Sequence, residues 1–161
     1  MTVGKTDYER ESEKETAAPP PKPPAYPRPG TLVPLRDTAR SALRVFIDRA
    51  TLEVTPHGEV RYVVVARSGD GVDNVRFEGM RCPSAELRAY AFGRADGTWG
   101  GKPGDWQPVA KSLQPWHLTL YRDYFCPQKS PIGSPGEGVR ALEQGGHPFA
   151  RGFSGDALLG K

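Results

Sequence analysis

The stretch Glu59-Val-Arg-Tyr-Val-Val-Val-Ala-Arg67 is followed by Ser68-Gly-Asp-Gly71 and then by Asp73-Asn-Val-Arg-Phe-Glu-Gly-Met80. The first run is rich in β-branched and aromatic residues, which favour strands. In the second run Val75, Phe77 and Gly79 alternate with polar residues, which is the period of a strand with one buried face. Because a glycine-containing turn joins the two runs, we predict that they pair as an antiparallel hairpin.

Further strands are predicted on both sides of this hairpin. Residues 43–54 carry β-branched and aromatic side chains and end in an alternating pattern. Residues 85–93 are compatible with a helix by composition and with a strand by alternation. The strand is preferred because Asp96-Gly97 is a typical hairpin turn and residues 98–99 begin a return strand. Together these segments predict an antiparallel β-meander.

Residues 112–125 follow a different period. Their apolar side chains recur at spacings of three and four, which places them on one stripe of a helix: Leu113, Trp116, Leu120, Tyr121, Tyr124 and Phe125. Pro115 suits the first turn of this helix, and Pro127 marks its end. A second, short helix is predicted at residues 137–144, where Gly145 and Gly146 would stop it.

The predicted fold class is therefore α+β, with the antiparallel β-meander packed against a C-terminal helix. Trp116, Leu120 and Tyr124 are expected to face the sheet as the main apolar contacts of that helix. This packing would bring Cys126 beside the end of the strand that carries Cys82.

Cys82 and Cys126 are the two cysteines of the chain, and they lie 44 positions apart. A redox or nucleophilic site would favour a C-x-x-C spacing or cationic surroundings, whereas each of these cysteines lies beside proline and bulky apolar residues. We therefore predict one structural disulfide. Because structural disulfides persist in oxidising compartments, the pair also predicts an exported protein whose export signal precedes this numbering.

The N-terminal part of the chain has a different composition from the rest. Residues 1–18 are charged and nearly free of core-forming side chains, which predicts disorder or weak helicity. Seven of the eleven residues at 19–29 are proline, which favours an extended polyproline II path. Two P-x-x-P patterns occur here, and they fit either a ligand for an aromatic-lined groove or, as we prefer, a stiff spacer along the domain surface. We predict a disordered and Pro-rich segment at 1–31, a single domain at 32–150 and a flexible tail at 151–161.

Composition excludes several classes of protein. The net charge of +3 arises from 22 basic and 19 acidic side chains that are mixed along the chain, so a nucleic-acid partner is not expected. No apolar run approaches the length of a transmembrane helix. The three histidines show no spacing that would present two imidazoles to one metal, and neither a metal nor a cofactor is predicted.

Two groups of residues are candidates for binding. Charges cluster near the first cysteine at Glu78, Arg81, Glu86 and Arg88. Trp99 and Trp106, with other aromatic side chains, could stack on sugars or bases, although burial in the core is the preferred interpretation of the tryptophans.

Two blocks, Asn74-Val-Arg-Phe-Glu-Gly-Met-Arg-Cys82 and Asp123-Tyr-Phe-Cys-Pro127, carry a resemblance to a known family. With Glu86-Leu-Arg-Ala-Tyr-Ala-Phe-Gly93 and Asp96-Gly-Thr-Trp99, they resemble the cryptic neisserial protein family, uncharacterised envelope proteins of betaproteobacteria. The resemblance runs over residues 26–149. It implies a secreted or lipoprotein-type precursor that is periplasmic or associated with the outer membrane, and it implies no catalytic residue.

The preferred interpretation is a non-enzymatic cell-envelope protein that binds a protein or a cell-wall component. One alternative is a small envelope enzyme with an unrecognised site around the charged cluster. Another is a carbohydrate-binding module that uses the tryptophans. The sequence makes no prediction of oligomeric state.

Overall fold

A computed structural model describes Thr6, residues 19–36 and residues 42–150. Apart from Thr6, the predictions for residues 1–18 and 151–161 lie outside the described residues. Within the described residues, no helix is long and apolar enough to cross a membrane.

Eight strands of the described part of the chain form one antiparallel sheet. In chain order they are β1 (Leu32–Pro34), β2 (Arg44–Asp48), β3 (Glu53–Val54), β4 (Glu59–Arg67), β5 (Asp73–Arg81), β6 (Glu86–Gly93), β7 (Trp99–Gly100) and β8 (Gln107–Pro108). The spatial order is β1-β2-β4-β5-β6-β7, with β3 paired to β4 and β8 paired to β6. The long hairpin β4–β5 lies at the centre of this sheet, as its sequence predicts.

The flanking strands agree with the prediction in type and differ in extent. Residues 86–93 form a strand, which confirms the choice of strand over helix there. Residues 43–54 form two strands, because a turn after Asp48 interrupts them. The Asp48 carboxylate accepts hydrogen bonds from the Ala50 N–H and the Thr51 hydroxyl, and these bonds stabilise the turn.

Two helices follow the sheet. Helix α1 (Pro115–Leu120) continues into a π-helical turn (Tyr121–Phe125), and helix α2 spans Pro135–Gln144. Because α1 begins at Pro115, Leu113 precedes the helix and is 94% exposed, so its predicted place on the apolar stripe is wrong. Helix α2 begins two residues earlier than predicted, where the Ser134 hydroxyl accepts the Glu137 N–H as an N-cap.

The sheet has two differently covered faces. The helix face carries Tyr62, Val64 and Met80, which share one buried cluster with Trp116, Leu120 and Tyr124 of the helical layer. This packing confirms the predicted contact between helix and sheet. Cys82 and Cys126 form the predicted disulfide within this cluster, with their Cα atoms 5.2 Å apart.

The opposite face, called the outer face below, carries a second and smaller apolar cluster. It contains Val63, Val65, Val75, Phe77, Tyr90 and Ala91. Tyr26 of the Pro-rich segment packs against this cluster together with Trp99. Residues that precede β1 therefore contact the sheet. They belong to the Pro-rich segment that the sequence analysis interprets as a spacer along the domain surface.

Candidate binding surface

Two rows of side chains cross strands β4, β5 and β6 on the outer face. The pairing register aligns Arg61, Gly79 and Arg88 in one row, and Glu59, Arg81 and Glu86 in the next. Because side chains two positions apart share a face of a strand, both rows point away from the helices. This end of the sheet therefore presents three arginines and two glutamates around a central glycine.

Gly79 makes room for the contacts above it. A Cβ atom at this position would overlap the Glu59 carboxylate and would lie 2.9 Å from the Tyr90 ring. In the space that the glycine leaves, the Tyr90 hydroxyl donates a hydrogen bond to the Glu59 carboxylate. The missing side chain thus permits a buried tyrosine–carboxylate contact in the middle of a strand.

The arginines alternate with two aromatic rings. The Arg81 guanidinium lies 3.9 Å from the centroid of the Trp106 ring, and Arg88 lies 5.4 Å from Trp106 and 5.1 Å from the Tyr90 ring. The Arg61 guanidinium lies 5.7 Å from the centroid of the Tyr90 ring. These distances are typical of cation–π contacts. We call these five side chains the cation–aromatic ladder.

Hydrogen bonds fix the ladder in place. The Arg61 Nε donates to the Glu59 carboxylate at 3.2 Å, and Arg81 donates to Glu86 at 3.3 Å. The Arg88 Nε donates to the Gly104 carbonyl at 2.9 Å, which holds the loop that carries Trp106. The ladder is thus ordered before any partner arrives, which lowers the entropic cost of binding.

The buried Glu59 carboxylate raises the pKa values of its neighbours Tyr90 and Arg61. Burial raises the pKa of the Tyr90 hydroxyl, and the negative charge of Glu59 raises it further. Burial opposes the charge of Arg61, but the same carboxylate outweighs that effect and raises the pKa of the guanidinium. At neutral pH Tyr90 is therefore a neutral hydrogen-bond donor and Arg61 remains a cation.

The structure brings together four of the six candidate binding residues. Arg81, Glu86, Arg88 and Trp106 lie in or beside the ladder, but Glu78 does not. Glu78 lies on β5 three positions before Arg81, and this odd spacing places the two side chains on opposite faces of the sheet.

Trp99 lies elsewhere on the outer face. It is half-buried beneath the Pro-rich segment, and its indole N–H donates to the Pro24 carbonyl at 2.8 Å.

The sequence did not single out Glu59, Arg61 or Gly79 as binding residues. The alternation of β4 and β5 could have indicated these residues, because it gives the face on which each side chain lies once the pairing register is known.

Glu78 belongs to a separate polar network under the helical layer. It is fully buried and accepts hydrogen bonds from the Tyr62 hydroxyl and from His117 Nε2, each at 2.8 Å, while Arg76 lies 3.4 Å away. Burial alone would raise the pKa of the Glu78 carboxyl. The hydrogen bond and charge of His117, with the charge of Arg76, outweigh burial and lower that pKa below its ordinary value.

The same network continues to a serine. His117 Nδ1 is hydrogen-bonded to the Ser112 hydroxyl, which also accepts the Gln114 N–H at the start of α1. When His117 is neutral, Nε2 can donate to Glu78 while Nδ1 accepts the proton of Ser112. When His117 is charged, both ring nitrogens donate. The chain Ser112–His117–Glu78 therefore has the residue types of a nucleophile, a base and an orienting carboxylate.

A protein-family model described as the CNP1-like family matches residues 9–143, which is most of the chain. The chain belongs to the CNP1-like family. The match confirms the resemblance that the sequence blocks carry. No curated protein and no solved structure matches this CNP1-like chain.

Proposed function

We propose that this CNP1-like protein is a non-enzymatic protein of the cell envelope that binds a protein partner through the cation–aromatic ladder. The composition of the ladder supports this function. Arginine, tryptophan and tyrosine are the side chains most enriched at the energetic centres of protein interfaces. Here Arg81, Arg88 and Trp106 lie half-buried on one rigid patch of the outer face.

The tryptophans argue against the carbohydrate-binding alternative. A sugar stacks on an open ring face, but Arg81 covers a face of Trp106 at 3.9 Å from its centroid. Trp116 is 4% exposed, and Tyr26 packs on Trp99 with ring centroids 5.0 Å apart. A stacked sugar would first have to displace one of these side chains, which favours a protein partner over a sugar.

The site geometry also favours binding over catalysis at the charged cluster. Glu78 faces the helical layer, so the proposed enzyme site around it would be divided between two faces of the sheet. Two of the surface cavities in the described part of the chain have volumes of about 270 and 310 Å³. The first is lined by one carboxylate, that of Glu137, and the second by none. Neither of these cavities is lined by Glu78, Arg81, Glu86 or Arg88, so neither supplies a catalytic pocket for the charged cluster.

One specific observation favours a second candidate function, that of a hydrolase. The Ser112–His117–Glu78 chain supplies a hydroxyl next to an imidazole that a carboxylate orients. His117 is 1% exposed and Ser112 lines neither cavity, which makes this candidate the weaker one. Covalent labelling by a fluorophosphonate that is lost in Ser112→Ala and not in Ser84→Ala would establish the hydrolase in place of the binding protein.

The disulfide supports the proposed location. Structural disulfides are characteristic of oxidising compartments such as the bacterial periplasm, and Cys82–Cys126 is buried within the core cluster. Fractionation of cells followed by immunodetection tests this location. Recovery of the protein in the cytoplasmic fraction with reduced thiols would contradict it.

Crosslinking tests the binding function directly. A photoreactive phenylalanine analogue at the exposed Asp105, beside Trp106, should capture a protein from envelope extracts. The same analogue at Asp70, in the turn at the far end of β4, should not capture it. The captured protein, once purified, should bind the unlabelled chain with a measurable Kd.

Point variants then assign the binding energy to the ladder. Trp106→Ala and Arg88→Ala should each weaken binding roughly 30-fold, the equivalent of a hot-spot loss of about 2 kcal/mol. Val72→Ala, at an exposed position in the distant turn, is the matched control and should leave the Kd unchanged. Undiminished binding by a folded Trp106→Ala variant would refute the assignment of the site.

A further inference from the structure

The Pro-rich segment lies on the domain with a period of three. Pro21, Pro24 and Pro27 are half-buried, as is Tyr26, while Lys22, Pro23 and Ala25 are exposed. A polyproline II helix has three residues per turn, so such a helix places these three prolines on one edge. The prolines of the two P-x-x-P patterns are therefore the ones turned toward the domain.

Aromatic side chains hold this edge. The Trp99 indole N–H donates to the Pro24 carbonyl at 2.8 Å, and the Tyr26 ring packs on the Trp99 ring. The Tyr26 hydroxyl donates to the Arg94 carbonyl at 3.3 Å. Aromatic-lined grooves bind P-x-x-P segments with this chemistry, because the preformed helix loses little entropy and its carbonyls remain open to donors.

The groove is wider than the segment that occupies it. A cavity of about 310 Å³ remains between the segment and the sheet. Its walls are mostly prolines, glycines and aromatic rings: Pro20, Pro21, Lys22, Pro23, Tyr90, Ala91, Trp99, Gly100, Gly101 and Pro103. The segment is thus held tightly at Pro24 and Tyr26 and loosely before them, as expected of a ligand that can be displaced from one end.

We propose that the face around Trp99 is a receptor groove for polyproline II segments, that residues 21–27 are its intramolecular ligand, and that a P-x-x-P segment of another protein competes for it. The groove shares Tyr90 with the ladder, but the contacts that hold the segment are made by Trp99 and Arg94, so the inference does not rest on the ladder. It assigns a second recognition surface and the chemistry of its partner.

A segment of another protein is a better competitor than a second copy of this chain. The segment of a second copy is already held by its own groove at the millimolar effective concentration typical of short linkers. Exchange between two copies would therefore have to open two intramolecular contacts, whereas a free segment has to open one. The apparent affinity for that segment is the intrinsic affinity multiplied by the fraction of chains whose groove is open.

A full-length variant with a weakened intramolecular ligand tests the proposal. Pro24→Gly with Tyr26→Ala removes the stiff turn and the ring that packs on Trp99, and we call this double variant the opened variant. The probe is a fluorescent, end-blocked peptide of residues 19–29, and its binding is followed by fluorescence anisotropy. The opened variant should bind this peptide at least tenfold more tightly than the unmodified chain.

Two peptides with equal proline content test the period of three. Alanine at Pro24 and Pro27 should weaken binding to the opened variant at least tenfold. Alanine instead at Pro19 and Pro29, which are exposed and do not line the cavity, should weaken it less than threefold. Adding Trp99→Phe to the opened variant keeps a ring and removes the N–H, which should cost roughly fivefold to tenfold.

Several outcomes would overturn the proposal. One is the absence of saturable binding to an opened variant whose thermal unfolding remains cooperative, and another is an equal loss with both alanine peptides. If the opened variant does not fold, the indole N–H resonance of Trp99 in the unmodified chain decides, and it should shift at millimolar peptide. An unshifted resonance would refute the groove. A concentration-dependent dimer that Trp99→Phe abolishes would show that the occupant is a second copy instead.

Discussion

Replacing Gly79 by alanine is the most demanding test of the outer face. Gly79 lies within β5, and a Cβ atom there would overlap the Glu59 carboxylate and crowd the Tyr90 ring. Both neighbours are buried and hydrogen-bonded to each other, so neither can move without breaking that bond. The added methyl group should therefore separate the tyrosine from the carboxylate.

The expected destabilisation follows from two costs. Adding a methyl group to a packed interior costs about 1–3 kcal/mol. Losing a hydrogen bond to a buried charged group costs about 1.5–3 kcal/mol. The Gly79→Ala variant should therefore lose about 2.5–6 kcal/mol of unfolding free energy. For a chain of this size, that is a fall in Tm of roughly 10 °C, and urea unfolding measures the free energy directly.

Two further variants serve as controls. Gly69→Ala adds the same methyl group where nothing lies within 4 Å, and it should leave stability within about 1 kcal/mol of the unmodified chain. In a Glu59→Ala background the overlap is removed, so adding Gly79→Ala should cost at least about 1 kcal/mol less than it costs alone. A loss below about 1 kcal/mol, or equal losses in the two backgrounds, would refute the proposed contact.

Three other predictions concern the helix face and the disulfide. Trp116→Ala should lower the unfolding free energy by about 3–5 kcal/mol, and Leu113→Ala should change it by less than about 0.5 kcal/mol; equal urea midpoints for the two variants would contradict their different burial. Because the pKa of Glu78 is lowered in the folded state, its contribution to stability is present above the unfolded value of about 4.3 and is lost as the pH falls through the folded value. Glu78→Gln should therefore lose less stability than the unmodified chain as the pH falls below about 4.3, and parallel acid unfolding curves would count against this. Thiol labelling of the unfolded, unreduced chain should find neither Cys82 nor Cys126 reactive, and reduction should cost about 4 kcal/mol for a loop of this length; two labelled thiols would disprove the pairing.

Local patterns in the sequence predicted the elements well. The alternation of residues 73–80, the turns after β4 and β6, and the helical spacing from Trp116 to Phe125 each depend on neighbours a few positions apart. The error at Leu113 has a physical reason. Its spacing matches the helical stripe, but Pro115 fits the first turn, so the chain before it leaves the helix and carries Leu113 into solvent.

The candidate site could be predicted only in part. Glu78 and Arg81 are close in sequence and were grouped for that reason, although the strand carries them to opposite faces. Arg61 and Arg88 are distant in sequence and lie in the same row of the sheet only because both pair with Gly79. The P-x-x-P spacing was visible, but the groove that it occupies was not, since Trp99 and Arg94 come from a distant hairpin.

The sequence by itself determined the strand and helix types, the disulfide pair and the P-x-x-P spacing, because each depends on residue types or on short periodic spacings. The tertiary structure decided which side chains meet. A register shift between Phe77 and Glu78 leaves Tyr90 as an extra residue in β6, so Tyr90 and Ala91 both join the outer cluster. This bulge interrupts the alternation of β6, so the Tyr90 hydroxyl reaches the Glu59 carboxylate. The bulge arises from the pairing of β6 with β5, and the sequence of β6 alone does not reveal it.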